Sequence, residues 1–495
     1  MTVGDTPRRV TTGVAGLDDV LGGGLPADRM YLVHGLPGVG KTTLALQFLL
    51  EGVQRGEKVL YVTLSETEHE IRQVADSHGW SLDGIALFEL SAAEQNRRLN
   101  DNTLYAPEDV ELRATMSVLL DQVVRIKPSR VVFDSLSEIR LLSQTGGLYR
   151  REILGLKQFF AGRNCTVLLL DDRSARDPDL QVESLAHGVI ALEQSPREYG
   201  ADRRRVRVVK LRGSSFRSGY HDYVVRRGGL VVFPRLIAAE HRTEATATAL
   251  PSGVAELDAM LGGGLDRATS TLIVGPAGAG KSVLAAQFAA AAAARGENAT
   301  LFLFEERAST LRKRTKQLGI DLDAPVAGRV AIRQIDPAEL APDEFTHLVR
   351  DEIERNGAKV IVIDSINGYF TAMPEERFMT LHMHELLAYL DECGVATILT
   401  MSQGGVLGTM VSPIDVSFLS DTVLLLRYFE YRGRVRKALS ILKKRSGAHE
   451  DAIRQLTFGP AGVQLGRPLS DMRGVLTGVP TVDGLGSALE ANRDD

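Results

Sequence analysis

Two eight-residue stretches carry the clearest chemistry. Gly35-Leu36-Pro37-Gly38-Val39-Gly40-Lys41-Thr42 and Gly275-Pro276-Ala277-Gly278-Ala279-Gly280-Lys281-Ser282 both fit the pattern G-x-x-x-x-G-K-[ST]. Glycines in such a loop let the backbone curl so that its N–H groups face a chain of phosphates. The lysine adds a mobile positive charge, and the Thr or Ser hydroxyl reaches Mg2+. The candidate phosphate-binding residues are Gly38, Val39, Gly40, Lys41, Thr42 and Thr43, and in the second copy Gly278, Ala279, Gly280, Lys281, Ser282 and Val283.

The surrounding elements fit that chemistry. Met30-Tyr31-Leu32-Val33 precedes the first loop and Thr271-Leu272-Ile273-Val274 the second, each an apolar run that predicts a strand. Thr43-Leu44-Ala45-Leu46-Gln47-Phe48 and Val283-Leu284-Ala285-Ala286-Gln287-Phe288 predict the helices that follow. A second strand, Lys58 to Leu64, delivers Ser65-Glu66, and its counterpart, Ala299 to Phe304, delivers Glu305-Glu306. A carboxylate at the end of a parallel strand beside a phosphate loop is placed to orient an attacking water, making Glu66, Glu305 and Glu306 candidate catalytic residues. The competing explanation is a helix cap or first-turn acid; the matched position in both halves favours catalysis.

Arg130-Val131-Val132-Phe133-Asp134-Ser135 and Lys359-Val360-Ile361-Val362-Ile363-Asp364-Ser365 describe buried central strands with an acid at the tip. Asp134 with Thr42, and Asp364 with Ser282, are the candidate Mg2+ residues. Further apolar strands alternate with helices, so the expected class is α/β, a mainly parallel sheet with helices on both faces in each half. Each half closes with a basic alternating element, Arg203 to Ser214 and Arg434 to Arg445, expected as an edge hairpin. Its charges either protect a sheet edge or let Lys210, Arg212, Lys443 and Arg445 reach a neighbouring subunit's nucleotide.

A chain of 495 residues exceeds one ordinary core. A constant offset of 240 between the copies (Gly253 minus Gly13, Lys281 minus Lys41) marks duplication of a whole domain. The expected division is 1–237, a linker at 238–250, a second domain at 251–468 and a loosely held tail at 469–495. No apolar run is long enough to span a bilayer and no secretory leader is evident, so a cytoplasmic protein is expected. Cys165 and Cys393 are the only cysteines, which argues against a Cys-rich zinc site or a disulfide framework. A net charge of -5 argues against a constitutive nucleic-acid binder.

These residues resemble the KaiC family, the tandem RecA-type ATPases of the cyanobacterial clock and their bacterial and archaeal relatives. The resemblance covers nearly the whole chain. It rests on Leu21-Gly22-Gly23-Gly24-Leu25, Tyr61 to Thr67, Ser77-His78-Gly79-Trp80, Asp134-Ser135, Lys210-Leu211-Arg212-Gly213-Ser214, Glu305-Glu306, Asp364-Ser365, Ser420-Asp421-Thr422 and Lys443-Lys444-Arg445. It implies two RecA-like P-loop domains with twisted sheets, a double-ring homohexamer with ATP and Mg2+ at subunit interfaces, and separate signalling partners. It further implies nucleotide contacts from Ser77, and contacts in trans from Lys210, Leu211, Arg212, Ser214, Lys443, Lys444 and Arg445. In the family the second ring phosphorylates an adjacent Ser and Thr; the matching pair here is Ser417-Phe418, so Ser417 is the candidate acceptor. Other departures are Ser65-Glu66 in place of two glutamates, Phe216 in place of a histidine, and Ser446-Gly447 in place of Gly-Ser.

The leading reading is an ATPase and serine autokinase in signalling or clock-like regulation. The alternatives are a RecA/DnaB-like DNA-processing motor, and a nucleotide-gated scaffold with slow hydrolysis.

Overall fold

The computed structural model describes residues 8–89, 107–143, 145–172, 180–197, 199–241, 248–324, 328–371, 379–403, 419–477 and 481–482. The chain divides into two compact units, Met1–Arg235 and Leu236–Asp495, each with a nine-stranded sheet.

In the first unit the principal elements are β1 (Met30–Gly35), α1 (Lys41–Gln54), β2 (Val59–Thr63), α2 (Glu68–His78), β3 (Ile85–Glu89), α3 (Pro107–Ile126), β4 (Arg130–Asp134), α4 (Gly146–Phe160), β5 (Thr166–Asp172), β6 (Gly188–Ser195), β7 (Arg203–Leu211), β8 (His221–Arg226) and β9 (Gly229–Phe233). The strands lie in the order β3-β2-β4-β5-β1-β6-β7-β8-β9. The first six are parallel, and β7 to β9 extend the sheet antiparallel.

The second unit repeats this plan with β10 (Thr269–Gly275), α5 (Lys281–Ala294), β11 (Asn298–Leu303), α6 (Ala308–Gln317), β12 (Val330–Gln334), α7 (Pro342–Glu354), β13 (Ala358–Asp364), α8 (Met379–Glu392), β14 (Ala396–Ser402), β15 (Thr422–Tyr431), β16 (Arg434–Lys444), β17 (Arg454–Gly459) and β18 (Gly462–Pro468). Its order is β12-β11-β13-β14-β10-β15-β16-β17-β18, the same permutation strand for strand.

Burial explains the near-continuous apolar runs. Helices cover both faces of the parallel part, so β1 and β4 are buried along their whole length. One core joins Leu44, Phe48 and Tyr61 to β1; another, on the opposite face, joins Leu60, Phe133 and Ile153. The alanine run Ala289–Ala294 is helical, and its small side chains let α5 pack closely against the sheet.

The basic strands are not at an edge. β7 lies between β6 and β8, and β16 between β15 and β17, so the expected edge hairpin is corrected to an interior position. Alternation of charged and apolar residues is satisfied equally well there: Val206, Val208 and Leu211 pack into the core while the intervening charges face out. The further hairpin, turning at Arg227-Gly228, supplies the actual edge.

Within the stretch expected as a linker, Ala238–Glu240 forms a single 3-10 turn, and Leu236 and Ala238 join the second unit's core; residues 242–247 lie outside the described residues. Beyond residue 468, Val475 is buried against Phe429 and Ala438, so the start of the expected loose tail is packed. Among the described residues no helix is long and apolar enough to cross a membrane.

Candidate functional site

The first phosphate loop leaves β1 at Gly35 and ends at Gly40, which caps α1 with φ 100°. Gly38 has φ 84°, and a Cβ built there would meet nothing within 4 Å. The loop therefore leaves room for a phosphate, next to the unpaired N–H groups that open a helix. Lys41 is buried. Its Nζ donates to the carbonyls of Gly35 at 2.9 Å and Leu36 at 3.0 Å, and pairs with Asp172 Oδ1 at 2.7 Å. Tyr223 on β8 donates its hydroxyl to the Val39 carbonyl at 2.6 Å, holding the loop from the antiparallel side.

Thr42 Oγ1 donates to Asp134 Oδ2 at 3.0 Å, and the Tyr61 hydroxyl donates to the same oxygen. Burial raises the pKa of Asp134, and these two hydroxyls offset part of that rise. Glu66 follows β2 on a turn closed by Thr63, whose hydroxyl accepts the Glu66 N–H at 3.0 Å and donates to the Glu66 carbonyl at 2.6 Å. Among the described residues, Glu66 Oε2 is buried with no hydrogen-bond partner. Its pKa is raised, by burial first and then by Asp134, while Lys41 pulls it down. Asp134 and Lys41 therefore sit close enough to Glu66 for their charges to act on it.

In the second unit Gly280 caps α5 with φ 110°. Lys281 Nζ donates to the carbonyls of Gly275 at 3.1 Å and Pro276 at 2.9 Å. Burial pushes its ammonium pKa down, and Asp364 and Glu305 push it back up. Asp364 takes its hydrogen bond from Thr400 on β14; among the described residues Ser282 makes no bond to it like that of Thr42 to Asp134. Ala279 and Val283 are buried in the core beneath the loop. Lys437 donates to the Gly278 carbonyl at 2.8 Å and Tyr428 to the Ala277 carbonyl at 3.2 Å, so β15 and β16 hold this loop.

The two second-unit glutamates separate. Glu305 Oε1 accepts from Ser365 Oγ at 2.6 Å, beside Asp364. Glu306 is held away in a bidentate pair with Arg314, both contacts at 2.8 Å. The residue at the same sequence offset as Glu66 is Glu306, yet the one beside the phosphate loop is Glu305. Thr63 ties the first turn; Leu303 stands at its place and has no hydroxyl to do so.

The donor set fits Mg2+. Thr42 with Asp134, and Ser282 with Asp364, offer hard oxygens, and among the described residues no group of three or more His, Cys, Asp or Glu forms a self-sufficient metal cage. Mg2+ characteristically binds through one or two protein oxygens, with substrate phosphates and water completing its shell.

The basic residues lie at the other end of each sheet. Leu211 pairs with Gly188, which pairs with Tyr31 near the start of β1, whereas the loop begins after Gly35. Four residues of strand separate them, ~13 Å. Lys444 and Thr422 hold the same relation to Thr271. Lys210 donates to the Glu183 carbonyl, Arg212 to the Ser184 carbonyl at 2.7 Å, and Ser214 accepts from Arg9. Lys443 donates to the Ser420 carbonyl at 2.7 Å, Lys444 to that of Gly264 at 3.3 Å, and Arg445 pairs with Asp421 at 3.3 Å.

Ser77 is exposed and its hydroxyl donates to the Val74 carbonyl of its own helix. The side chain that reaches α1 is that of the adjacent His78, with Nε2 3.4 Å from Thr43 Oγ1. Ser417 lies outside the described residues. Sequence reasoning missed Asp172, Tyr61 and Thr400. Asp172 ends its strand directly after a second acid, Asp171, Thr400 lies within an apolar run whose signal is burial, and Tyr61 reads as an ordinary core aromatic.

A family model described as "ATPase: KaiC" matches residues 10–237 and 250–470. The chain is similar to "Circadian clock protein KaiC3" of Synechocystis sp., 25% identical over 492 residues, covering 96% of this chain and 95% of that protein. "Circadian clock oscillator protein KaiC" of Parathermosynechococcus lividus is 27% identical over 487 residues, covering 95% and 87%. The protein of that name in Nostoc sp. is 26% identical over 507 residues, covering 99% and 95%.

Proposed function

The chain belongs to the KaiC family of ATPases, and from that premise we propose a division of labour: the first half hydrolyses ATP through Glu66, and the second transfers the γ-phosphoryl group to Ser417 with Glu305 as base. The observation that carries this reading is the buried, unpartnered Oε2 of Glu66 beside Asp134. A carboxylate with a raised pKa and a free oxygen is suited to take a proton from an attacking water.

In the hydrolytic step the water oxygen bonds to the γ-phosphorus, the bond to the bridging oxygen of ADP breaks, and the water's proton passes to Glu66. In the second half the Ser417 hydroxyl is the nucleophile and its proton passes to Glu305. Lys41 and Lys281 balance charge on the phosphates. Mg2+, held through Thr42 and Asp134 or Ser282 and Asp364, would neutralise charge on the phosphate oxygens.

The far-end location of Lys210, Arg212, Lys443 and Arg445 supports a ring assembly. They stand ~13 Å along the sheet from their own loop, so the nucleotide within their reach is a neighbour's. A double-ring homohexamer satisfies that geometry. The relatives' clock names extend the proposal to signalling, with nucleotide and phosphorylation state gating the binding of protein partners.

Incubation with γ-labelled ATP, phosphosite mapping, and sizing with and without ATP test the reading. Label on Ser417 that is lost in Glu305→Gln, together with turnover lost in Glu66→Gln, is the expected result. An unlabelled Ser417 removes the kinase role, and undiminished turnover in Glu66→Gln removes the hydrolytic one.

A further inference from the structure

The end of the first sheet remote from the phosphate loop gathers more positive charge than Lys210 and Arg212 supply. Lys157 on α4 donates Nζ to the Leu185 carbonyl at 2.8 Å, Arg212 donates to the Ser184 carbonyl at 2.7 Å, and Lys210 to the Glu183 carbonyl. Those three acceptors are consecutive residues at the C-terminal end of the short helix Leu180–Leu185. Three cations therefore converge on less than one helical turn. Arg29 adds a fourth by donating to the Arg212 carbonyl. His187 sits among them, its Nδ1 accepting the Met30 N–H at 3.2 Å.

Carbonyl acceptors align these cations without neutralising them. Burial lowers the pKa of Lys157 and of Lys210, and repulsion by Arg212 lowers both further; Glu183 opposes the shift at Lys210. His187 is likewise pushed down, by burial and then by Lys157, Arg29 and Arg212. Such a cluster favours an anion.

The second unit resolves the same position differently. Asp421 stands where His187 does, one residue before the sixth strand, and accepts the Ser270 N–H at 3.1 Å. It also pairs with Arg445, and Asp391 lies near enough to feel its charge. Acids there balance the basic end of β16; in the first unit the place of Asp421 is taken by an imidazole.

We propose that Lys157 is a third phosphate-binding cation of the first unit, acting with Lys210 and Arg212 on the terminal phosphates of a nucleotide held in the phosphate loop of a neighbouring copy. The proposal rests on the ring reading above, and the choice of variants keeps the two separable.

The test uses the full chain with its second loop silenced by Lys281→Ala, and follows assembly by sedimentation as a non-hydrolysable ATP analogue and Mg2+ are titrated in. Lys157→Met should raise the analogue concentration for half-assembly about tenfold, as expected for loss of one charge-assisted contact. Lys157→Arg should restore it to within about twofold, and Arg212→Met should be at least as impaired as Lys157→Met. Wild-type assembly by Lys157→Met with Arg212→Met impaired would overturn the role of Lys157 alone. Wild-type assembly by both would overturn the ring reading. A lowered melting temperature in Lys157→Met with unchanged assembly would reduce the residue to a helix cap.

Discussion

Lys41 Nζ and Asp172 Oδ1 stand 2.7 Å apart at the mouth of the first phosphate loop, and the place of Asp172 in the second unit is taken by Ser402. Phosphate entering the first loop must therefore draw Lys41 away from a carboxylate. Phosphate entering the second loop takes Lys281 from neutral carbonyls.

Replacing that carboxylate should tighten binding. Asp172→Asn, in a chain whose second loop is silenced by Lys281→Ala, should lower the Kd for Mg-ATP about 3–10-fold by calorimetry, since a half-exposed ion pair is worth on the order of 1 kcal/mol. Unchanged or weaker binding would show that Asp172 does not compete with phosphate.

The second-unit glutamates should part in a mutant series. With the first half silenced by Glu66→Gln, Glu305→Gln should slow the labelling of Ser417 roughly 100-fold or more, the scale of a lost general base. Glu306→Gln removes a partly exposed pair with Arg314 and should cost at most ~1 kcal/mol of stability with labelling within a few-fold. Equal losses in the two variants would contradict the assignment.

Gly38→Ala separates folding from binding. The φ of 84° there costs an alanine ~1–2 kcal/mol, while its Cβ points into open space. Modest loss of stability with ATP affinity at the first loop falling at least tenfold is the expected pattern. Retained affinity would mean that phosphate does not use the space over Gly38.

Stability of the second unit should carry a pH signature from Asp391. Burial, then Asp421 and Glu392, raise its pKa from 3.8 to about 7, and among the described residues Oδ1 has no hydrogen-bond partner. A group whose folded pKa is raised contributes stability below its unfolded pKa and loses it as pH climbs through the folded value. Asp391→Asn should therefore gain on the order of 1–2 kcal/mol relative to wild type between pH 4 and pH 8 in urea unfolding. A difference independent of pH would exclude Asp391 as its source.

Much of the fold was legible because duplication repeated every signal at an offset of 240, and because strand, glycine loop and helix follow one another at Met30 to Phe48 and again at Thr271 to Phe288. Asp134 and Asp364 were legible for the same reason, an acid ending a buried apolar run. The identity of the working glutamate was not. Glu305 and Glu306 both follow the strand, and what separates them is tertiary: Ser365 on one, Arg314 on the other. The interior position of β7 and β16 was hidden because alternating charge suits an exposed sheet face as well as an edge. Asp172 was hidden beside Asp171, since two adjacent acids look alike until one meets Arg140 at 2.6 Å and the other meets Lys41.

Leu236 and Ala238, packed in the second unit's core at 6% and 9% exposure, decide where the chain can be cut. A fragment begun near residue 250, where the second family match starts, would lack both side chains and expose the surface of α8 that meets the 3-10 turn. Losing a buried leucine alone costs ~2–5 kcal/mol. Expression of the second half by itself should therefore begin at or before residue 235, and a shorter version should melt lower for a reason unrelated to nucleotide.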